Sequence, residues 1–290
     1  MKFMKLAGRI LLAGFAYLIG LSIMGALAPV LHLPTLRALP GVTPQHTFEL
    51  ALLASPLLSI GLLPLALNLK GSWSQRAEAI AALLFITLGL NTLIEAKIFT
   101  SVLEGSPWLA SAQWILPCAL TAAALTYRFG DQQETTGVLE EFGTRLVGWR
   151  VVLAWLIWPV IYFFFGMCVS PFVVPYYQTS AGALGLHIPA ISVIIRTQLL
   201  RSALFLAASL PAIMLWTKSR GYLILALGLA HAMTVGIFQL VQAPFLPMVL
   251  RVAHSIEITC DSFAYAAVLV LLFARSMKAS KPLVQCVAAD

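Results

Sequence analysis

Eight long apolar stretches constrain this chain more than any other feature of its sequence. A helix needs about 20 apolar residues to cross the hydrocarbon core of a bilayer, and each stretch approaches or exceeds that length. Because lipid offers no hydrogen-bond partners to backbone groups, a spanning segment must satisfy them internally, as a helix does. The predicted helices 1 to 8 cover residues 8–30, 49–69, 79–101, 112–128, 150–173, 197–217, 221–243 and 252–275.

The composition of the chain agrees with a membrane environment. Of its 290 residues, 60% are hydrophobic and only 10% are charged, whereas a soluble domain carries about 25% charged residues. So few charges cannot cover the surface of a soluble protein of this size, and the alternating pattern of a β-barrel strand is not seen. We therefore predict an all-α integral membrane bundle of eight transmembrane helices, whose first helix is retained rather than cleaved as a signal peptide.

The distribution of Lys and Arg predicts the orientation of this bundle. The net charge of +7 is interpreted as the positive-inside bias of a membrane protein, and no nucleic-acid partner is expected. The predicted outer side holds five of the 18 basic residues: Arg37, Lys97, Arg196, Arg201 and Arg251. The predicted cytoplasmic side holds the other thirteen: Lys2, Lys5, Arg9, Lys70, Arg76, Arg128, Arg145, Arg150, Lys218, Arg220, Arg275, Lys278 and Lys281. This asymmetry fits an even number of spans with both termini cytoplasmic, in the cytoplasmic (inner) membrane of a bacterium.

Short matches between the two halves of the chain predict an internal repeat. The matched features are Arg9 with Arg150, Gly25 with Gly166, Pro29 with Pro171, Pro64 with Pro211, Leu-Gly-Leu at 88–90 with 227–229, and Phe99 with Phe238. With four spans in each half, both copies have the same orientation, which makes this a parallel 4+4 repeat. The predicted parts are a first half 1–128, a cytoplasmic linker 129–149, a second half 150–278 and a cytoplasmic tail 279–290.

Polar and ionisable residues concentrate in the outer half of the predicted bundle. At a rise of about 1.5 Å per residue, His231 lies near the middle of the membrane, and the other candidate site residues lie above it. These candidates are Asn91, Glu95, Arg196, Arg201, His231, Arg251, His254, Glu257 and Asp261. A charged group that faces lipid costs about 2.5–3.5 kcal/mol, so these side chains are expected to face the interior of the bundle.

Predicted helix 8 carries the densest part of this set. Arg251, His254, Glu257 and Asp261 follow one another at helical steps of three, three and four, which predicts a single stripe. Glu95 of helix 3 falls at the same depth. We therefore expect helix 3 to pack near helix 8, with Glu95 within reach of His254 or Glu257.

These residues favour a transporter, or a protein that handles a lipid or small solute, with a polar site in the outer half of the membrane. In this hypothesis Glu95, Glu257 and Asp261 bind protons or cations, and His254 modulates them. The outer arginines bind anionic groups such as lipid phosphates or an anionic solute. Membrane lipids are the expected partners, and no cofactor is predicted.

Other interpretations of the same residues remain open. Arg251 could extend along the helix to the membrane surface, His254 and Glu257 could be a packing pair, and His231 could be a hydrogen-bonded histidine of the bundle. An intramembrane enzyme could use His254 and Glu257 as metal ligands, completed by His231 and Glu95, or as an acid/base pair. The sequence lacks the common protease, hydrolase and phosphate-loop motifs, which makes an enzyme the less favoured alternative. An accessory subunit of a membrane complex is a third possibility.

The pattern Pro247-x-x-x-Arg251-x-x-His254-x-x-Glu257, followed by Phe263, resembles that of a family of uncharacterised bacterial polytopic membrane proteins. The run Tyr162-Phe-Phe-Phe-Gly166 of helix 5 is similar as well. The resemblance implies a multi-pass membrane fold, and it implies no particular activity.

Overall fold

The computed structural model describes residues 2–37, 43–127, 148–179 and 185–274. All regular structure in these residues is helical, and β-pairing is confined to two isolated bridges. Eight helices are long and apolar enough to cross a membrane, as predicted. They are α1 (Lys2–Val30), α2 (Pro44–Ala66), α3 (Trp73–Phe99), α4 (Pro107–Thr126), α5 (Gly148–Thr179), α6 (Ile191–Met214), α7 (Arg220–Val241) and α8 (Met248–Phe273). Nearly all of the predicted linker 129–149, and the whole tail 279–290, lie outside the described residues.

The helices begin one to six residues before the predicted apolar stretches, and at α2 and α3 the added first turns are polar. The hydroxyl of Thr43 accepts a hydrogen bond from the backbone N–H of His46 at the start of α2. Ser72 and Gln75 form a reciprocal capping box at the start of α3. Such caps satisfy backbone groups that a helix leaves unpaired. A search for apolar residues alone therefore places these starts too late.

The two groups of four helices pack internally in matching ways. Helix α1 contacts α2 and α4, and α3 also contacts α4. In the same manner α5 contacts α6 and α8, and α7 contacts α8. Between the groups, α2 packs on α7 and α3 packs on α6. The two groups therefore meet along α2, α3, α6 and α7.

A π-helical segment interrupts both α3 and α7 where these two helices meet. The segments are Phe85–Leu90 and Met233–Ile237. The hydroxyls of Thr87 and Thr234, one in each segment, lie 2.7 Å apart. One turn further along, Gln239 Nε2 donates to Thr92 Oγ1 at 2.6 Å. Because π-helical turns are rare and occur mostly at functional sites, this paired interruption marks a specialised contact at the centre of the bundle.

Arginines close the ends of α4 and α8 at one end of the bundle, which we call the basic end. Arg9 and Arg76 donate to backbone carbonyls at the end of α4. Arg150 and Arg220 do the same at the end of α8. The last carbonyls of a helix have no partner within it and carry partial negative charge, so a guanidinium stabilises them. The α2–α3 and α6–α7 connections also meet here, through the bridge of Leu69 with Trp216.

Close packing of α1 on α4 gives a direct test of this arrangement. A Cβ added to Gly20 would lie 2.5 Å from Pro117 Cα, whereas one added to Gly25 of the same helix meets nothing within 4 Å. We expect Gly20→Ala to lower the free energy of unfolding by about 1–3 kcal/mol, because the backbone of α4 must move. Gly25→Ala should leave it unchanged or slightly higher. Melting in detergent measures both, and equal melting temperatures for the two variants would contradict the observed contact.

Candidate functional site

The buried guanidinium of Arg201, on α6, is the centre of a polar cluster. Its Nη2 pairs with Glu95 Oε1 at 2.6 Å, and its Nε donates to Asn91 Oδ1 at 2.7 Å. Its Nη1 donates to Gln198 Oε1 at 3.0 Å. All three guanidinium nitrogens therefore have a partner, and two of those partners come from α3. The arginine joins the two groups of helices where α3 packs on α6.

Aromatic rings enclose the same guanidinium. Its carbon lies 5.5 Å from the ring centre of Trp158, 5.7 Å from that of Tyr162 and 5.4 Å from that of Phe205. Trp158 also donates from its indole N–H to Gln198 Oε1 at 3.1 Å. Rings at this distance attract a cation and exclude water from it. The low dielectric that results strengthens the interaction of Arg201 with nearby carboxylates.

Helix α8 contributes a histidine and two more carboxylates to this cluster. His254 Nδ1 lies 2.9 Å from Glu257 Oε2, and Asp261 is buried one turn further along. Glu95 interacts electrostatically with His254 and Glu257. Asp261 interacts in the same way with Arg201, Glu257 and Glu95. The structure thus brings together the candidates Asn91, Glu95, Arg201, His254, Glu257 and Asp261.

Gly166 allows the carboxylate of Glu257 to lie against α5. A Cβ at this glycine would lie 3.2 Å from Glu257 Oε1, which is tighter than ordinary van der Waals contact. The backbone of α5 therefore forms one wall beside the carboxylate. A larger residue here would have to displace Glu257.

Carboxylates outnumber basic groups in this cluster. Glu95, Glu257 and Asp261 surround one arginine, and His254 adds a positive charge only when it is protonated. In addition, Gln198 Nε2 and Asp261 Oδ1 are buried without a hydrogen-bond partner in the described part of the chain. Unpaired buried polar atoms and unbalanced charge are costly. The arrangement is therefore suited to binding protons, a cation or a small polar molecule.

The remaining three candidates lie apart from this cluster. His231 is fully buried between α6 and α8, and its Nε2 lies 2.9 Å from Ser209 Oγ. Arg196 is exposed and donates to the carbonyl of Ser192 on its own helix. Arg251 lines a groove between α7 and α8. The predicted stripe on helix 8 therefore continues from His254 through Glu257 to Asp261 without Arg251.

Four residues around Arg201 were not among the sequence-based candidates: Trp158, Tyr162, Gln198 and Phe205. Gln198 lies one helical turn before Arg201, so its spacing gave a usable signal. Tyr162 belongs to the aromatic run of helix 5, but an aromatic residue in a membrane helix does not by itself indicate a site. Trp158 becomes recognisable only once α5 is seen to pack on α6.

The polar cluster does not resemble a metal centre. Among the residues that the structure describes, no group of three or more His, Cys, Asp or Glu side chains is arranged to hold a metal ion. His231 pairs with Ser209 and lies apart from His254 and Glu257, with which it was grouped as a possible ligand. The geometry therefore does not favour the metal-ligand alternative.

Comparison with known proteins finds no family model, curated protein or solved structure that matches this chain. The similarity of helix 8 to uncharacterised bacterial membrane proteins therefore stays a prediction. The function must be inferred from the geometry of the polar cluster itself.

Removing the central guanidinium should destabilise the bundle strongly. Arg201→Met leaves the Glu95 carboxylate and the Asn91 amide oxygen without a partner, and breaking a buried pair in this way costs about 3–5 kcal/mol. The matched control is Arg196→Met, which removes an exposed arginine of the same helix and should change stability by less than about 0.5 kcal/mol. Melting of both purified proteins in one detergent makes the comparison. Similar losses for the two variants would show that the contacts of Arg201 do not stabilise the fold.

Proposed function

We propose that this protein is a transporter, or a small-solute-handling protein of the membrane, that binds a proton or a monovalent cation at its carboxylate cluster. The observation that carries the proposal is the excess of carboxyl groups over basic groups around Arg201. Even with His254 protonated, the three carboxylates Glu95, Glu257 and Asp261 exceed the two positive groups. Charge buried in low dielectric must be neutralised. A proton or cation bound at the cluster supplies that neutralisation.

The exposure of the two partners supports exchange with the surroundings. The side chain of Glu95 is 35% exposed, whereas that of Arg201 is 3% exposed. Part of the Glu95 side chain can therefore be reached from outside the bundle, whereas the arginine with which it pairs is buried. A proton that binds Glu95 removes its negative charge and weakens the ion pair. Since that pair ties α3 to α6, binding would alter the contact between the two groups of helices.

We further propose that the two halves are a parallel repeat in which residues 147 positions apart correspond. This separation relates Thr87 to Thr234 and Thr92 to Gln239, both of which are hydrogen-bonded across the centre. It also relates the capping serines of α3 and α7, Ser72 and Ser219. The π-helical segments coincide in this alignment. This alignment replaces the Leu-Gly-Leu match as the basis for aligning helices 3 and 7. Side chains that meet at the axis relating two repeats come from equivalent residues.

The position that the proposed repeat relates to the polar cluster supports a binding role for the charges. At the positions equivalent to Asn91 and Asp261 in this alignment stand Phe238 and Trp114. Tyr17 lies beside them, with ring centres 5.4 Å from Phe238 and 6.5 Å from Trp114. Ala54 stands in place of Arg201. This equivalent position, formed by α1, α4 and α7, is thus packed with aromatic rings, so the architecture does not need charges there. The presence of charges at the position formed by α3, α6 and α8 favours binding over packing.

An intramembrane enzyme is the second candidate function. The 2.9 Å contact of His254 Nδ1 with Glu257 Oε2 favours it, because an imidazole oriented by a carboxylate is a common acid/base arrangement. An enzyme of this kind would turn over a substrate without moving ions across the membrane. Measurement of ion flux therefore separates the two candidates.

Purified protein in liposomes should carry a proton or monovalent-cation flux that depends on Glu257. We expect wild-type protein to dissipate an imposed pH, sodium or potassium gradient, read by dyes enclosed in the vesicles. Glu257→Gln keeps the size of the side chain and removes the charge, so flux should fall by at least about tenfold, the effect of roughly 1.4 kcal/mol, with a near-normal melting temperature. His254→Gln should lower flux in the same way.

Glu49→Gln is the matched control, because Glu49 is an exposed carboxylate of α2 that contacts Gln45, outside the cluster. It should retain full flux. Wild-type protein that moves none of these ions, or a Glu257→Gln variant with unchanged flux, would refute the proposed transport function. Variants at Glu257 and His254 that fail to fold while Glu49→Gln folds would assign the cluster a structural role.

The proposed orientation places the basic end in the cytoplasm of a bacterium, at the inner membrane. Single cysteines that replace Ser74, Lys218 or a residue within 129–149 should then react only from the cytoplasmic side, in protein without its native cysteines. A cysteine in place of His187 should react only from outside. Ser74 lies in the first turn of α3 and Lys218 just before α7, at equivalent ends of the two halves, so a parallel repeat requires them to react alike. Opposite labelling of those two, or labelling of 129–149 and His187 from one side, would contradict the proposal.

A further inference from the structure

A groove between α7 and α8 runs along the face of the bundle that is turned outwards. Its walls are apolar, formed by Leu240 and Val241 of α7 and by Met248, Val252 and Ile256 of α8. Val241, Val252 and Ile256 are exposed. Since both helices are long and apolar enough to span a membrane, lipid is what covers this face.

Arg251 is the cationic residue of this groove, and no acidic side chain of the described segments pairs with it. None of the ion pairs in the described segments includes it, and its Nε is buried without a hydrogen-bond partner. In this it differs from Arg201, whose three guanidinium nitrogens are all paired. A guanidinium binds phosphate through parallel, charge-assisted hydrogen bonds, which makes a phosphate the chemically matched partner.

We propose that this groove binds one anionic phospholipid, with its phosphate on Arg251 and an acyl chain along the apolar walls. The inference goes beyond the proposed function and does not depend on it. The occupant is a lipid rather than a free anion because the cationic contact continues into an apolar channel. Thr259, further along the groove, donates its hydroxyl hydrogen to the carbonyl of Ser255. That hydroxyl is therefore satisfied within α8, as suits contact with a hydrocarbon chain.

The dimensions of the groove match one leaflet of a bilayer. Arg251 lies in the first turn of α8, which begins at Met248, and the groove continues to Cys260. At about 1.5 Å per residue this distance is roughly 13 Å. Half of the hydrocarbon core is about 15 Å thick. A phosphate on Arg251 would therefore lie at the membrane surface, with its acyl chain reaching towards the midplane.

The lining of the groove is distinct from the polar cluster on the same helix. Arg251, Ser255 and Thr259 follow one another at steps of four and face the groove. Glu257 and Asp261 are buried and face the interior. Changes in the groove can therefore be made without touching the cluster.

The test compares lipid retention by purified protein after exchange into vesicles of phosphatidylcholine and phosphatidylglycerol in equal amounts. We expect wild-type protein, released gently and weighed by native mass spectrometry, to retain one phosphatidylglycerol in preference to phosphatidylcholine. Arg251→Gln should reduce that preference by about tenfold or more, since the charge-assisted hydrogen bonds to the phosphate are lost. Val252→Trp, which fills the groove and keeps the charge, should reduce retention of both lipids.

Arg196→Gln is the control, since Arg196 is exposed in the same half of the chain but does not line the groove. It should bind lipid like wild type. Equal losses for Arg196→Gln and Arg251→Gln would indicate a general effect of surface charge and overturn the proposal. Two further outcomes would overturn the proposal: displacement of the lipid by millimolar inorganic phosphate, and unchanged lipid retention in Val252→Trp. In either case the apolar walls would not contribute, and the site would bind a free anion. Matching melting temperatures establish that every variant is folded.

Discussion

A guanidinium without protein partners is unstable between helices in a bilayer, because neither water nor lipid can satisfy its charge and its hydrogen-bond donors there. Arg201 therefore determines much of what surrounds it: Glu95, Asn91 and Gln198 occupy its nitrogens, and three aromatic rings cover its faces. Two of these partners come from α3, so one side chain fixes how the first four helices dock on the last four. The carboxylates of α8 then add negative charge that this arginine alone cannot balance.

In the proposed repeat, packing and binding make different demands on two equivalent positions of the bundle. Tyr17, Trp114 and Phe238 satisfy the first with edge-to-face and tilted rings that need no counter-ion. Around Arg201, charged and polar side chains occupy the interior in place of apolar ones, and unpaired amide and carboxylate atoms remain. In the proposed repeat, this difference is expected when one of two equivalent positions maintains the fold and the other serves the proposed binding.

The sequence predicted the all-α class and the eight membrane helices, because the length of a bilayer-spanning helix is a strong and local constraint. It also grouped Glu95 with the residues of helix 8, since depth can be counted along each helix. It did not locate the π-helical segments or their hydrogen bonds, because the residues in them, such as Thr87 and Thr234, are ordinary for a membrane helix. The prediction that Arg251 lies on the interior stripe was wrong. Each step of three residues falls short of a full turn of 3.6 residues, so two such steps place Arg251 on another face of the helix. The side on which a residue lies depends on which helices pack together, and that information is not local.

Arg201 and its partners on α3 are far apart along the chain, and this separation has a consequence for synthesis. Asn91 and Arg201 are 110 residues apart, so at the usual rate of translation about 5–20 s pass between their emergence from the ribosome. During that interval α3 is complete but the cation that pairs with its Glu95 does not yet exist. The early helix must therefore enter the lipid with its carboxyl group protonated, or wait beside the insertion machinery until α6 arrives. Assembly of the first half is in this sense unfinished until much of the second has been made.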